Sequence, residues 1–254
     1  MKPRNVLGRI LSVVLLLLAT GSGLARAGRP TVPSAASAAS ASSAADAPWF
    51  TAEVDTEGDT GHYASVAYDP FLGATYVSYY DATSQSLRMA RDDRWFSNCG
   101  PDEVWFCITL DHTSADVGRH SSIAVRPNGS GMGIAYHDAT NGTLKYLGFD
   151  NPRLWVYRVV TIDRGVQPVS TTGLYTSLKY NDSGTPFIAY HFNNPSGVDA
   201  LVLAYYSVAS GNCVNGDLPE EWRCETIITG EGVGQYASLA VVDDWEFHIA
   251  YYDA

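Results

Sequence analysis

Gly118-Arg119-His120-Ser121-Ser122-Ile123, leading to Ile134-Ala135-Tyr136-His137-Asp138, decides the fold because the chain spells it four times. The other copies run Gly61-His62-Tyr63-Ala64-Ser65-Val66 to Val77-Ser78-Tyr79-Tyr80-Asp81, and Gly173-Leu174-Tyr175-Thr176-Ser177-Leu178 to Ile188-Ala189-Tyr190-His191. The last runs Gly234-Gln235-Tyr236-Ala237-Ser238-Leu239 to Ile249-Ala250-Tyr251-Tyr252-Asp253. Ser65, Ser122, Ser177 and Ser238 are spaced by 57, 55 and 61 residues. Repeats of roughly that length built from short alternating segments mean an array of small sheets.

Around the second copy, four extended segments are predicted at Ser122–Val125, Met132–His137, Thr143–Leu147 and Trp155–Ile162. Asn128-Gly129 and Asn141-Gly142 supply tight turns between the first three. In the second segment Ile134 and Tyr136 share one face and Ala135 the other. The same alternation stands in Val77/Tyr79 against Ser78, Ile188/Tyr190 against Ala189, and Ile249/Tyr251 against Ala250. Small faces opposite bulky faces let the bulk of one sheet fill the space left by the next. No apolar period of 3.6 residues stands beyond the first 27 residues, so the expectation is an all-β chain. Four-stranded units arranged radially make a β-propeller. The alternatives are a β-sandwich or a β-solenoid.

Working outward from the repeats, the N-terminal part reads as an address followed by a spacer. Lys2, Arg4 and Arg9 precede the apolar run Ile10 to Ala19, and Ala25-Arg26-Ala27 offers a small-x-small cleavage site. Residues 1–27 are thus expected to be a signal peptide, with a run of about 10 apolar residues where a span needs about 20. Residues 28–48, rich in Ala, Ser and Pro, are expected to form a linker. Repeats then occupy 49–254. Trp49 to Asp55 resembles the outer strands at Trp105, Trp155 and Trp222, and is expected to close the ring as a leading outer strand. Sheets start near 61, 118, 173 and 234. The given sequence stops at Ala254, after the second segment of the fourth repeat, so an incomplete ring is expected, opening a longer one. Oligomerisation is expected only if one chain does not close the ring.

Cys107 and Cys224 each lie two residues after a Trp, while Cys99 and Cys213 precede them by 8 and 11 residues. The intervening repeat lacks both cysteines, so the members come and go together. Pairing Cys99–Cys107 and Cys213–Cys224 is expected, in an oxidising compartment: secreted, cell-surface or periplasmic. Structural zinc wants four clustered ligands, and these spacings supply two.

Without the four basic residues of the signal, 12 basic and 27 acidic residues remain, a net charge of −15. Scattered acidity suits a soluble exported surface and disfavours nucleic acid, whose phosphates need a basic footprint. No membrane partner is expected once the signal is cleaved. Nucleophile-elbow, zincin, Walker and dinucleotide motifs are lacking, and neither a cofactor nor a metal is expected.

In a propeller, the loop entering the first strand and the loop joining the second to the third open on one face. That face would carry His62, Tyr63, Arg119, His120, Leu174, Tyr175, Gln235 and Tyr236 from the entry loop. Asp81, Asp138, Asn141, Asn193, Asn194 and Asp253 would come from the other loop. Rings beside carboxylates and amides suit sugars, stacking on the apolar face while polar groups take hydroxyls. A residue repeated in every unit usually serves the unit itself: Tyr79, Tyr136, Tyr190 and Tyr251 as core, Tyr63, His120, Tyr175 and Tyr236 as structural residues, and Asp81, Asp138 and Asp253 as caps of their own turns.

The phrases Tyr175 to Tyr190 and Tyr136 to Tyr146 resemble the repeats of exported bacterial β-propeller proteins. These are loosely similar to the sialidase superfamily and to fucose-binding propeller lectins. The resemblance implies the propeller fold over 49–254 and a glycan or protein ligand. Sialidases imply an Arg trio, a Tyr/Glu pair and an Asp acid, but no Phe-Arg-Ile-Pro-like entry motif stands in this chain. Asn181-Asp182-Ser183-Gly184-Thr185 only partly matches an Asp-box. The expected function is therefore an exported non-catalytic binding module. The alternatives are a propeller glycoside hydrolase and a surface scaffold.

Overall fold

A computed structural model describes residues 51–93, 96–101, 104–151, 155–166, 170–195, 197–208, 210–244 and 246–254. The expected signal peptide, the expected linker, and Trp49 and Phe50 lie outside these residues. Fourteen strands and no helix are found among them. Sheet 1 contains β1 (His62–Asp69), β2 (Ala74–Asp81), β3 (Ser86–Asp92) and β4 (Trp105–Asp111). Sheet 2 contains β5 (Val117–Val125), β6 (Met132–Asp138), β7 (Thr143–Asn151) and β8 (Val156–Asp163). Sheet 3 contains β9 (Thr171–Tyr180), β10 (Pro186–Asn193), β11 (Asp199–Tyr206) and β12 (Trp222–Gly230). Sheet 4 pairs β13 (Gln235–Val241) with β14 (Phe247–Tyr252). All pairings are antiparallel between sequence neighbours.

The sheets stack in chain order: β5 packs between β1 and β9, and β9 between β5 and β13. Nesting follows the alternation of the second strands. Ile134 and Tyr136 enter one cluster with Tyr76, Leu87 and Ile123, towards sheet 1. Ala135 turns the other way, into a cluster with Leu178, Ile188 and Tyr190 of sheet 3. Ala189 then receives Leu239 of sheet 4. This is a blade-like arrangement of similar sheets.

Each joint is fastened by the repeated residues. Ser65 Oγ accepts the Ile123 amide at 3.2 Å, Ser122 Oγ that of Leu178 at 3.0 Å, and Ser177 Oγ that of Leu239 at 3.0 Å. The serine of one repeat thus satisfies the backbone of the next, where strands of different sheets share no ladder. The repeated glycine lets the sheets approach. A Cβ on Gly118 would lie 2.6 Å from Leu87 Cα, on Gly173 2.8 Å from Leu144 Cα, and on Gly234 2.9 Å from Leu201 Cα.

Behind this seam, the repeated tyrosine reaches the acid that precedes its sheet. Tyr136 Oη donates to Asp111 Oδ2 at 2.7 Å and Tyr190 Oη to Asp163 Oδ2 at 2.6 Å. Tyr79 Oη donates to Asp55 Oδ2 at 2.6 Å, although residues 51–56 form no strand. Lys145 stands opposite Tyr136 on β7 and Arg88 opposite Tyr79 on β3. Both cations reach the acid: Lys145 Nζ is 2.6 Å from Asp111 and Arg88 3.2 Å from Asp55. Sheet 3 has Val202 at that register, so Asp163 has its phenol and the Gly165 amide but no cation among the described residues.

Both disulfides form as the spacing predicts, Cys99–Cys107 and Cys213–Cys224. Each ties a loop to an outer strand, and a local amide helps: Asn98 Oδ1 accepts the Cys107 amide at 2.6 Å and Asn212 Oδ1 that of Cys224 at 2.7 Å. Two disulfides fit an oxidising, extracellular environment. Among the described residues no helix is long and apolar enough to cross a membrane.

Candidate functional site

The entry segments and the turns after the second strands meet on one side of the sheets. Ala82 donates its amide to Asp59 O and Ala139 to Asp116 O, at 2.8 and 2.9 Å. Here every first strand opens with a bulge, marked by a register shift. At its centre stands Tyr63, His120, Tyr175 or Tyr236, with φ of 53°, 54°, 53° and 52°. A bulky residue in the left-handed region costs about 1–2 kcal/mol, and the fold accepts this four times. The preceding glycine also has positive φ, 90° at Gly61 and 110° at Gly118.

This conformation lines the four rings up across the sheets. Tyr63 lies 4.4 Å from His120, His120 4.7 Å from Tyr175, and Tyr175 4.4 Å from Tyr236, between ring centroids. Behind each ring, at 6.0–6.3 Å, stands the residue after the repeated tyrosine: Tyr80, His137, His191 and Tyr252. Three of these rear residues are tied to the next repeat. Tyr80 Oη donates to Asp116 at 2.9 Å, while His137 and His191 direct Nδ1 at Thr172 O and Val233 O, both at 2.7 Å. A carbonyl only accepts, so Nδ1 carries the proton in both histidines.

Electrostatically the row is quiet. Burial first, then the neighbouring His137 and Arg119, push His120 down to about 4, so it is neutral at pH 7. Burial also lowers His137. Arg119 is spent on Asp116, with Nε 3.0 Å from Oδ1, and lies over the Tyr80 ring at 5.4 Å. Tyr63 is 43% exposed and Tyr236 64% exposed, while His120 and Tyr175 are half-buried.

The remaining residues singled out by sequence divide into rim and turn. His62 is exposed and pairs with Asp59 at 2.8 Å, and Gln235 is half-buried at the entry to β13. Asp81 and Asp138 are buried. Asp81 Oδ1 caps its own turn through the Thr83 and Ser84 amides, at 2.8 and 3.1 Å. Burial alone would raise this carboxyl, but those bonds, with the Ser84 hydroxyl and Arg88, hold it below its ordinary value. Asp138 accepts the Asn141 amide at 3.1 Å and the Ser114 hydroxyl at 2.6 Å. Asn141 lends its side chain to the same knot, 2.9 Å from Asp138 Oδ2. Asn193 bonds Asp199 at 3.2 Å. No cluster of three or more His, Cys, Asp or Glu able to hold a metal stands among the described residues.

Sequence reasoning did not foresee the rear row or its ties, although His/Tyr after each repeated tyrosine was in view. It also missed a cleft at the opposite end of the strands, between sheets 2 and 3, of about 360 Å³. No family model matches the chain, and no curated protein matches it.

Proposed function

We propose that the chain is an exported, non-catalytic binding module of the β-propeller type that receives a glycan on its aromatic row. The observation that carries this reading is the backbone conformation of the row. Four bulky residues are held at positive φ, and their rings follow one another at 4.4–4.7 Å across the sheets. Strain kept at the same place in four successive repeats points to binding. Sugars offer apolar C–H faces that stack on such rings, and the uncharged His120 avoids the desolvation cost of a cation there. The two disulfides and the acidic surface support export.

The test is a glycan array followed by calorimetry on the best hits. Replacing Tyr236 by Gly keeps the positive φ at lower strain and removes the ring. It is expected to weaken binding about tenfold, equivalent to about 1.4 kcal/mol, with thermal stability unchanged or raised. Tyr63→Ala should weaken the same ligand. With His120 already neutral, affinity should stay flat between about pH 5.5 and 8. An array without saturable binding, or full affinity in Tyr236→Gly, would defeat the reading.

A further inference from the structure

The cleft between sheets 2 and 3 exists because sheet 2 departs from the repeat in two coupled places. The first is a pair of glycines directly opposite each other, Gly133 on β6 and Gly148 on β7. At the same register sheet 1 carries Tyr76 and Arg91, and sheet 3 carries Phe187 and Tyr205. Two large side chains are thus missing from one spot. Into it come the Tyr146 and Tyr180 phenols, joined at 2.7 Å, and a Cβ on Gly133 would collide with both.

The second departure is Arg126. Four residues after the repeated serine, sheet 1 has Asp69 and sheet 3 has Asn181, each capping its own turn. Arginine has no acceptor and cannot cap, and Asn128 takes over the turn through Ser130. The turn therefore does not require Arg126. Its guanidinium lies 5.6 Å over the Tyr180 ring, and its buried Nε finds no acceptor among the described residues. The nearest atom to a Cβ on Gly184 is Arg126 Cδ, at 4.0 Å, so glycine leaves the stem uncovered.

We propose that this cleft binds a small amphipathic carboxylate, with the carboxylate at Arg126 and an apolar body along Pro186, Leu218 and Tyr206. These residues line the same space, whose volume falls within the range of ordinary ligand pockets, about 300–1,000 Å³. Arg126 meets the Tyr146 and Tyr180 phenols but keeps an unsatisfied Nε, and a planar guanidinium is matched by a carboxylate in shape and charge. Arg158, exposed on the opposite wall and in no ion pair among the described residues, adds a second positive charge, against the exposed Asp150, which lines the same cleft. Glu221 on the rim is already engaged by Tyr206 Oη at 3.2 Å. The site lies at the far end of the strands from the aromatic row and does not depend on the function proposed for it.

The experiment titrates the full chain with phenylacetate, its neutral amide phenylacetamide, and sulfate. Trp222 fluorescence and the backbone resonances of Gly148 and Gly184 serve as readouts. Saturable binding of phenylacetate at this cleft is expected, at least tenfold tighter than the amide or sulfate. Arg126→Met, which keeps the stem, should weaken it at least tenfold. Arg158→Gln, on an exposed side chain that leaves folding untouched, should weaken it severalfold. Equal binding of the amide would overturn the proposal, as would equal binding of sulfate. Failure of phenylacetate to saturate, or indifference to both substitutions, would overturn it as well.

Discussion

Lys145→Val copies into sheet 2 the arrangement that sheet 3 already has, with Val202 opposite Tyr190. In the wild type, Lys145 Nζ is 2.6 Å from Asp111 and 3.0 Å from Thr113 Oγ1, and the Asp111 side chain is 0% exposed. Removing one partner of a buried pair costs about 3–5 kcal/mol. Here the Tyr136 and Thr113 hydrogen bonds to Asp111 survive, which puts the loss near the lower figure, about 3 kcal/mol. For a domain of this size that lowers Tm by about 6–12 °C.

The dependence on pH carries the diagnosis. Burial alone would raise the Asp111 carboxyl, but the Lys145, Thr113 and Tyr136 hydrogen bonds hold it below its ordinary value. Its ionisation therefore stabilises the fold above the unfolded carboxylate pKa, and that contribution is lost as pH falls through the lower folded value. Asp163, which lacks a cation, is instead raised by burial. With Val at 145, Asp111 should behave as Asp163 does. Its charge then costs stability at pH 7, and the cost is relieved as pH falls through the raised folded value. Urea melts followed by tryptophan fluorescence at pH 7 and pH 4.5 should show the gap to wild type narrowing at the lower pH. A gap of equal size at both, or a loss below about 1 kcal/mol at pH 7, would refute the argument that the ion pair offsets Asp111 burial.

Gly118→Ala should cost several times more than Gly61→Ala. The first meets Leu87 Cα at 2.6 Å, whereas the second meets nothing within 4 Å and suffers only its positive φ, about 1–2 kcal/mol, so paired thermal melts decide it. Ser122→Ala should lose about 1–2 kcal/mol by stranding the Leu178 amide. Amide hydrogen exchange at Leu178 should accelerate while that of Leu239, held by Ser177, does not; equal acceleration at both would deny the serine its local role.

The sequence made the sheets legible because strand alternation is a local property. Asn128-Gly129 and Asn141-Gly142 marked turns, and β6 and β7 begin at the expected Met132 and Thr143. First strands were harder. The reading at Ser122–Val125 stopped short of β5, which begins at Val117, because Gly118 and His120 look like a loop. In three dimensions they are a bulge within the strand, and nothing in a single repeat distinguishes the two. Four aromatic residues at one slot were visible, but that their rings touch depends on the spacing between sheets. Asp81, Asp138 and Asn141 looked like candidates for binding and equally for capping; hydrogen bonding within their own turns engages them. The cleft left a trace that was not followed: a glycine pair in register and an arginine in a capping slot are both breaks in a repeat otherwise read for its agreements.

The joints between sheets show what a repeat must keep and what it is free to change. Glycine, left-handed aromatic and serine recur at the seam of all four first strands, and they set how closely one sheet approaches the next. Behind that seam the chemistry drifts. Between sheets 1 and 2 the joint holds Asp111, Tyr136 and Lys145. Between sheets 2 and 3 the acid and phenol remain, Val202 replaces the cation, and Cys224 Sγ lies 3.6 Å from the Tyr190 hydroxyl. Between sheets 3 and 4 the filling is apolar, with Phe187 and Phe247 rings 4.4 Å apart. Three different fillings behind one constant seam mean that the seam, not the filling, specifies the geometry. A joint relieved of that duty can lose side chains, as at Gly133 and Gly148, and open a cleft without undoing the stack.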